Sequence, residues 1–161
     1  MSEFRIRPAT EDDCELVLSF IRRLADYEKM LDEVVATVDD VKRELFGDKA
    51  IAHCVIACED DTPVGFAFYF YNFSTFLTRK GLYLEDIFID PAYRGKGYGK
   101  KLMQYLANKA IEEKCGRFEW VVLDWNEPAI GFYEKIGANV LPNWRICRMT
   151  GESLVNFAES K

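Results

Sequence analysis

Apolar and polar residues alternate at Phe4-Arg5-Ile6-Arg7, a first strand that Pro8 ends. The period then lengthens. Cys14, Val17, Leu18, Ile21, Leu24 and Ala25 recur at helical spacing, with Thr10 as N-cap and Asp12 and Asp13 in the first turn. Glu28 is the only charge on that stripe, and Tyr27-Glu28 falls where the helix runs out. Thr37 with Asp40 predicts a shorter helix through Leu45, closed by Gly47. Ala52 to Cys58 and Val64 to Phe73 read as a hairpin around Asp60-Asp61-Thr62-Pro63. The second of these strands is apolar on both faces, which predicts a central position. Ser74 to Lys80 reads as a loop, and Leu82 to Ile89 as a strand that Asp90-Pro91 stops.

A helix follows over residues 99 to 114, with Leu102, Met103, Leu106, Ala107, Ala110 and Ile111 on one face. Arg117 to Leu123 is a further strand. Asn126 caps a helix with Pro128 near its start, carrying Ile130, Phe132, Tyr133 and Ile136, and Gly137 ends it. Trp144 to Met149 predicts a last strand, and residues 152–159 a closing helix with Leu154, Val155 and Ala158 inward. The order β-α-α-β-β-β-α-β-α-β-α predicts an α+β fold, a mixed sheet with helices on both faces, in one domain over 1–161.

Composition narrows the function. Nearly half of the 161 residues are apolar and 14% are aromatic, enough for a real core. A net charge of -6 argues against a nucleic-acid partner, and no apolar run approaches the ~20 residues of a membrane span. No signal peptide is visible at the start. The cysteines, Cys14, Cys54, Cys58, Cys115 and Cys147, include no C-x-x-C pair, and His53 is the only histidine. Reduced thiols, no metal site and a cytoplasmic location are expected. Cys54 and Cys58 share a strand face as small hydrophobes.

The candidate chemistry lies between Leu82 and Lys101. Arg94-Gly95-Lys96-Gly97-Tyr98-Gly99 packs three glycines into six residues ahead of a helix. Free N–H groups and the helix dipole make such a place an anion site. A tight turn without a ligand explains the glycines equally well. A nucleotide P-loop does not: Lys101 stands where its Ser or Thr belongs and Arg94 where its first glycine belongs. Glycines at 95, 97 and 99 also miss the dinucleotide spacing.

The third reading comes from resemblance. R-x-x-G-x-G, here Arg94, Gly97 and Gly99, resembles motif A of the GNAT N-acetyltransferases, and the order of elements resembles theirs throughout. Within that family the chain is similar to the spermidine/spermine (diamine) branch, which includes thialysine N-acetyltransferases. Arg5-Ile6-Arg7-Pro8-Ala9-Thr10, Ala25-Asp26-Tyr27-Glu28, Tyr83-Leu84-Glu85-Asp86, Tyr93-Arg94-Gly95, and Trp125-Asn126-Glu127-Pro128 through Phe132-Tyr133 to Gly137-Ala138 carry this. The resemblance implies a mostly antiparallel twisted sheet and an enzyme moving acetyl from acetyl-CoA to a small cationic amine. It also implies a homodimer.

The resemblance assigns roles. The backbone of Gly95, Lys96, Gly97, Tyr98, Gly99 and Lys100 takes the pyrophosphate, with Arg94, Lys96 and Lys100 adding charge. Ile87, Phe88 and Ile89, in a strand whose bulge frees backbone groups, meet the pantetheine arm and the thioester. Asn126, Pro128, Ala129 and Phe132 complete the cofactor set. Tyr133, with an ordinary pKa of about 10, is the general acid for the thiolate; a core tyrosine is its bland alternative. Glu85 interrupts an apolar strand and, left unpaired in a core, would be costly. It is the candidate base and an amine ligand. Tyr27, Glu28, Asp86 and Trp144 line the amine site, although strand period turns Asp86 away from Glu85 unless the bulge re-aims it.

Against the polyamine enzymes that the chain resembles, the loop Ser74 to Gly81 and the segment Val140 to Asn143 leave fewer carboxylates along the cleft, so a diamine, lysine or thialysine fits at least as well as a long polyamine. Two rivals stay open. A non-catalytic acetyl-CoA sensor needs neither Tyr133 nor Glu85. A protein N-terminal or lysine acetyltransferase needs an open peptide groove.

Overall fold

A computed structural model describes residues 1–161, which divide into two compact units, Met1–Val121 and Val122–Lys161. The first unit holds a five-stranded sheet in the order β1-β2-β3-β4-β5, formed by Phe4–Pro8, Ala52–Glu59, Thr62–Ser74, Arg79–Ile89 and Phe118–Glu119. Neighbours are antiparallel up to β4, and β5 runs parallel to it. The long aromatic strand β3 is central, as its two apolar faces require.

Helices α1 (Cys14–Tyr27) and α2 (Val38–Phe46) cover one face. There Cys14, Val17, Leu18, Phe20, Leu24 and Val41 pack with Cys54, Ile56, Cys58, Phe66 and Phe88. Cys54 and Cys58 do share a face. The alternate strand residues Val55, Ala57, Ala67 and Leu84 are buried on the opposite face, with Leu102, Met103, Leu106 and Ala110 of α3 (Tyr98–Glu112) also buried. A 3-10 turn, Glu11–Asp13, separates Thr10 from α1. Asp13 ties it: its carboxylate accepts from Thr10 N at 2.7 Å and from both terminal nitrogens of Arg7 at 2.7 and 3.0 Å. Phe20, 1% exposed, belongs to the core although it lies off the predicted stripe, because the buried arc of α1 is wider than one row.

The second unit carries α4 (Glu127–Lys135) and α5 (Gly151–Glu159). Gly137 (φ +98) ends α4 in the left-handed conformation. Two expectations fail here. Trp144–Met149 forms no strand, since a β-prone run needs a ladder partner and has none. Leu154 and Val155 are 51% and 53% exposed rather than inward. The strand expected over Arg117–Leu123 shrinks to Phe118–Glu119, and β4 starts at Arg79, inside the expected loop.

Candidate active site

The glycine turn starts from a braced strand end. Asp90, just past β4, accepts from Ala92 N at 2.9 Å and pairs with Arg23 of α1 at 2.7 Å. Arg94 Nε donates to Ile89 O at 3.1 Å, and its guanidinium lies 5.0 Å over the Tyr27 ring and 5.7 Å over Phe88. Gly95 (φ +81) and Gly97 (φ +79) take the left-handed conformation that glycine alone adopts without strain. A Cβ built on either would meet nothing within 4 Å. The space in front of both is therefore open, and a side chain would fill it. Gly97 caps α3, and Lys101 N is the first to bond back, to Gly97 O at 3.1 Å. The N–H groups of Tyr98, Gly99 and Lys100 ahead of it are the free donors of a helix N-terminus. This geometry suits a pyrophosphate.

The basic residues divide. Lys100 is exposed. Lys96, assigned a phosphate from sequence, bonds Glu59 at 2.8 Å and lies over the Tyr93 and Tyr98 rings at 5.4 and 5.9 Å.

Below the turn, β4 is irregular. Phe68 faces Asp86 but Tyr69 faces Leu84, so Glu85 is an extra residue without a partner. This is a bulge. Without it Leu84 and Asp86 would share a face. With it Leu84 stays on the α3 side, 2% exposed, while Asp86 shares the α1 side with Phe88. Ladder pairing with β5 also stops early, at Leu82↔Phe118 and Tyr83↔Glu119. Beyond Tyr83 the strand edge of Ile87, Phe88 and Ile89 is unpaired on that side.

Asp86 is half-buried. Burial first, then the charges of Glu85 and Glu28, push its carboxyl up to about 7. Glu28, just past α1, is half-buried too, and burial raises its pKa. Glu85 is exposed. The structure therefore brings Tyr27, Glu28, Glu85, Asp86, Phe88 and Arg94 to one end of α1. No group of three or more His, Cys, Asp or Glu is arranged to hold a metal ion. Sequence reasoning missed Glu59, whose contacts to Lys96 and Tyr98 span 37 and 39 residues and leave no local pattern.

In the second unit, Asn126 Oδ1 accepts from Ala129 N at 3.4 Å and so caps α4, with Pro128 in its first turn. Phe132 and Tyr133 are half-buried with rings 5.6 Å apart. Pro128, Gly131, Phe132 and Lys135 line an open surface hollow. Trp144 is 79% exposed.

Known proteins share this architecture. The acetyltransferase (GNAT) family model matches residues 21–138. A thialysine N-epsilon-acetyltransferase of Sus scrofa is 36% identical over 98% of this chain and 99% of its own. An L-ornithine N5-acetyltransferase of Arabidopsis thaliana is 43% identical over 73% of this chain and 48% of its own. A solved integron cassette protein of V. cholerae has a TM-score of 0.80 at 30% identity, over 98% of both chains. A ribosomal-protein-alanine N-acetyltransferase from Brucella melitensis shares the fold, with a TM-score of 0.75 at 20% identity over 92% of this chain and 100% of that one. With a glycine cradle at a helix N-terminus, an opened fourth strand and relatives aligned end to end, the chain belongs to the acetyltransferase (GNAT) family.

Proposed function

We propose that the protein, as one catalytic domain, moves the acetyl group of acetyl-CoA to a primary amine of a small cationic substrate in a direct ternary complex. A polyamine, a diamine, or a lysine- or thialysine-like amino acid is the substrate class. One observation carries this reading: three carboxylates, Glu28, Glu85 and Asp86, gather at the β4 bulge, and Tyr27, next to Glu28 in the chain, has the Arg94 guanidinium of the glycine turn over its ring. The two half-buried carboxylates, Glu28 and Asp86, need a cation, and a substrate ammonium supplies it.

When bound, acetyl-CoA supplies the activated acetyl thioester. The N–H groups of Gly95 to Lys100, with Arg94 and Lys100, hold its phosphates. The open β4 edge at Ile87 to Ile89 receives the extended pantetheine amides as an added strand would be received. Asn126, Pro128, Ala129 and Phe132 are further cofactor contacts. Asp86 and Glu28 bind the amine, with Tyr27 and Trp144 lining its site. Glu85, exposed at the bulge, is the base that takes the ammonium proton through a water, and Asp86, its carboxyl pushed up to about 7 mainly by burial, stands next to it in the chain. The Tyr133 hydroxyl holds the proton for the departing sulfur. No cysteine stands at the matching positions, which supports direct transfer.

Five free cysteines support a cytoplasmic location. A homodimer is supported by the exposed apolar side chains Leu141, Ile146, Val155 and Phe157, which a second copy would cover. The testing experiment is a free-CoA release assay with acetyl-CoA against polyamines, diamines, amino acids and peptides. Release with a small amine is expected. Acetyl-CoA binding with no release across the panel would leave a sensor, and release with peptides alone a protein acetyltransferase.

A further inference from the structure

Glu59 ends β2, paired with Phe4 on one side and Thr62 on the other, so its backbone is held from both edges. Its side chain is only 13% exposed and reaches out of the sheet to the glycine turn. Both carboxylate oxygens accept from Lys96 Nζ, at 3.2 and 2.8 Å, and one also accepts from the Tyr98 hydroxyl. Lys96, then Tyr98, hold this carboxyl below its ordinary pKa range, so it is ionised at neutral pH. Tyr98 in turn stacks on Phe4 of β1 at 4.2 Å, and Lys101 Nζ lies 5.2 Å over Phe4 and 5.8 Å over Tyr98.

A carboxylate beside a phosphate site is costly on charge alone, because it repels the ligand and occupies a lysine that would attract it. Its presence there asks for another reason. Gly95 and Gly97 have wide backbone freedom and no neighbour within 4 Å of where a Cβ would stand. Something outside the turn must set its shape. Asp90 and Arg94 brace the entry; Glu59, through Tyr98 and Lys96, braces the exit.

We propose that Glu59 is a positioning residue of the cradle: by holding the Tyr98 hydroxyl and Lys96 against the sheet, it aims the N–H groups at the α3 N-terminus toward the cofactor phosphates. This rests on the reading of the turn as the coenzyme A cradle. Lys96 then serves as a strap, and attraction for the phosphates comes from the N–H groups, Arg94 and Lys100. Charge and position predict opposite signs. If Glu59 were only a nearby negative charge, removing it would tighten coenzyme A binding. If it positions the turn, removing it loosens binding.

The experiment is calorimetric titration of the full chain with coenzyme A, together with initial rates against acetyl-CoA. Glu59→Ala and Tyr98→Phe are each expected to weaken binding about tenfold, the scale of one hydrogen bond to a charged acceptor. The double variant should be no weaker than the weaker single one. Glu59→Gln keeps an acceptor for Tyr98 but loses the charge that holds Lys96, and should fall between the parent and Glu59→Ala. KM for acetyl-CoA should rise while kcat at saturation holds. Equal or tighter binding by Glu59→Ala overturns the inference. If that variant does not fold, parental affinity in Tyr98→Phe overturns it. A parent chain that does not bind coenzyme A removes the cradle reading itself, which is a distinct result.

Discussion

Asp86→Asn tests whether the bulge places a carboxylate where charge is disfavoured. The carboxyl moves from 3.8 to about 7 on folding, and burial is the main cause. Native protein thus holds this proton more tightly than the unfolded chain. Below pH 3.8 both states are protonated and the group has no effect. Between there and about 7 the unfolded chain ionises first, so stability falls as pH rises. Above that both are ionised and the loss is constant. A gap of about three pH units at ~1.4 kcal/mol each totals about 4 kcal/mol, and about 3 kcal/mol of it falls between pH 5 and pH 8. Partial exposure of the side chain makes this an upper bound, because water screens what it reaches.

The assay is urea unfolding of parent and Asp86→Asn across pH 5 to 8.5, read as the difference between them so that other groups cancel. The variant should gain on the parent as pH rises, be the more stable protein at pH 8, and lose amine acetylation. A difference flat with pH would refute the burial argument. A pH-dependent difference with acetylation intact would leave the burial and remove the carboxylate from the chemistry.

Other outcomes are checked more simply. Tyr133→Phe should lower kcat about a hundredfold or more, the usual worth of a positioned general acid, while calorimetric acetyl-CoA binding stays at the parental value; unchanged turnover would remove Tyr133 from the mechanism. Gly97→Val should raise KM for acetyl-CoA and cost about 1–2 kcal/mol in unfolding experiments, since a β-branched residue is strained at φ +79 and fills the open cradle. Phe20→Ala should cost about 3–5 kcal/mol by denaturant midpoint, because the ring is 1% exposed between Phe66 and Phe88; a loss below 1 kcal/mol would show that the site collapses around the gap.

The glycine turn and the α4 cap of the candidate site were readable along the chain because they are local. The glycine turn needs only adjacent residues: two positive-φ positions and a helix start. Asn126 as a cap followed by Pro128 is equally local. Asp86 was not readable in this way. Strand alternation puts it on the same side as Leu84, and only the extra residue Glu85 turns it toward α1. Whether a strand bulges depends on how its neighbour registers, which no period in one strand reveals. The last strand shows the converse. Trp144–Met149 has strand composition, yet composition without a hydrogen-bonding partner makes no strand.

Hydrophobic periodicity and turn chemistry determined the helices α1 to α4, the hairpin of β2 and β3, and the cradle, since each follows from which side chains recur and which φ values a residue tolerates. The tertiary structure alone decided three things. It set the face on which Asp86 lies, the end of β4–β5 pairing at Tyr83, and the tie from Glu59 to Tyr98 across 39 residues. Each depends on register and proximity between distant segments. Those are properties of how strands and helices meet, and no stretch of the chain carries them by itself.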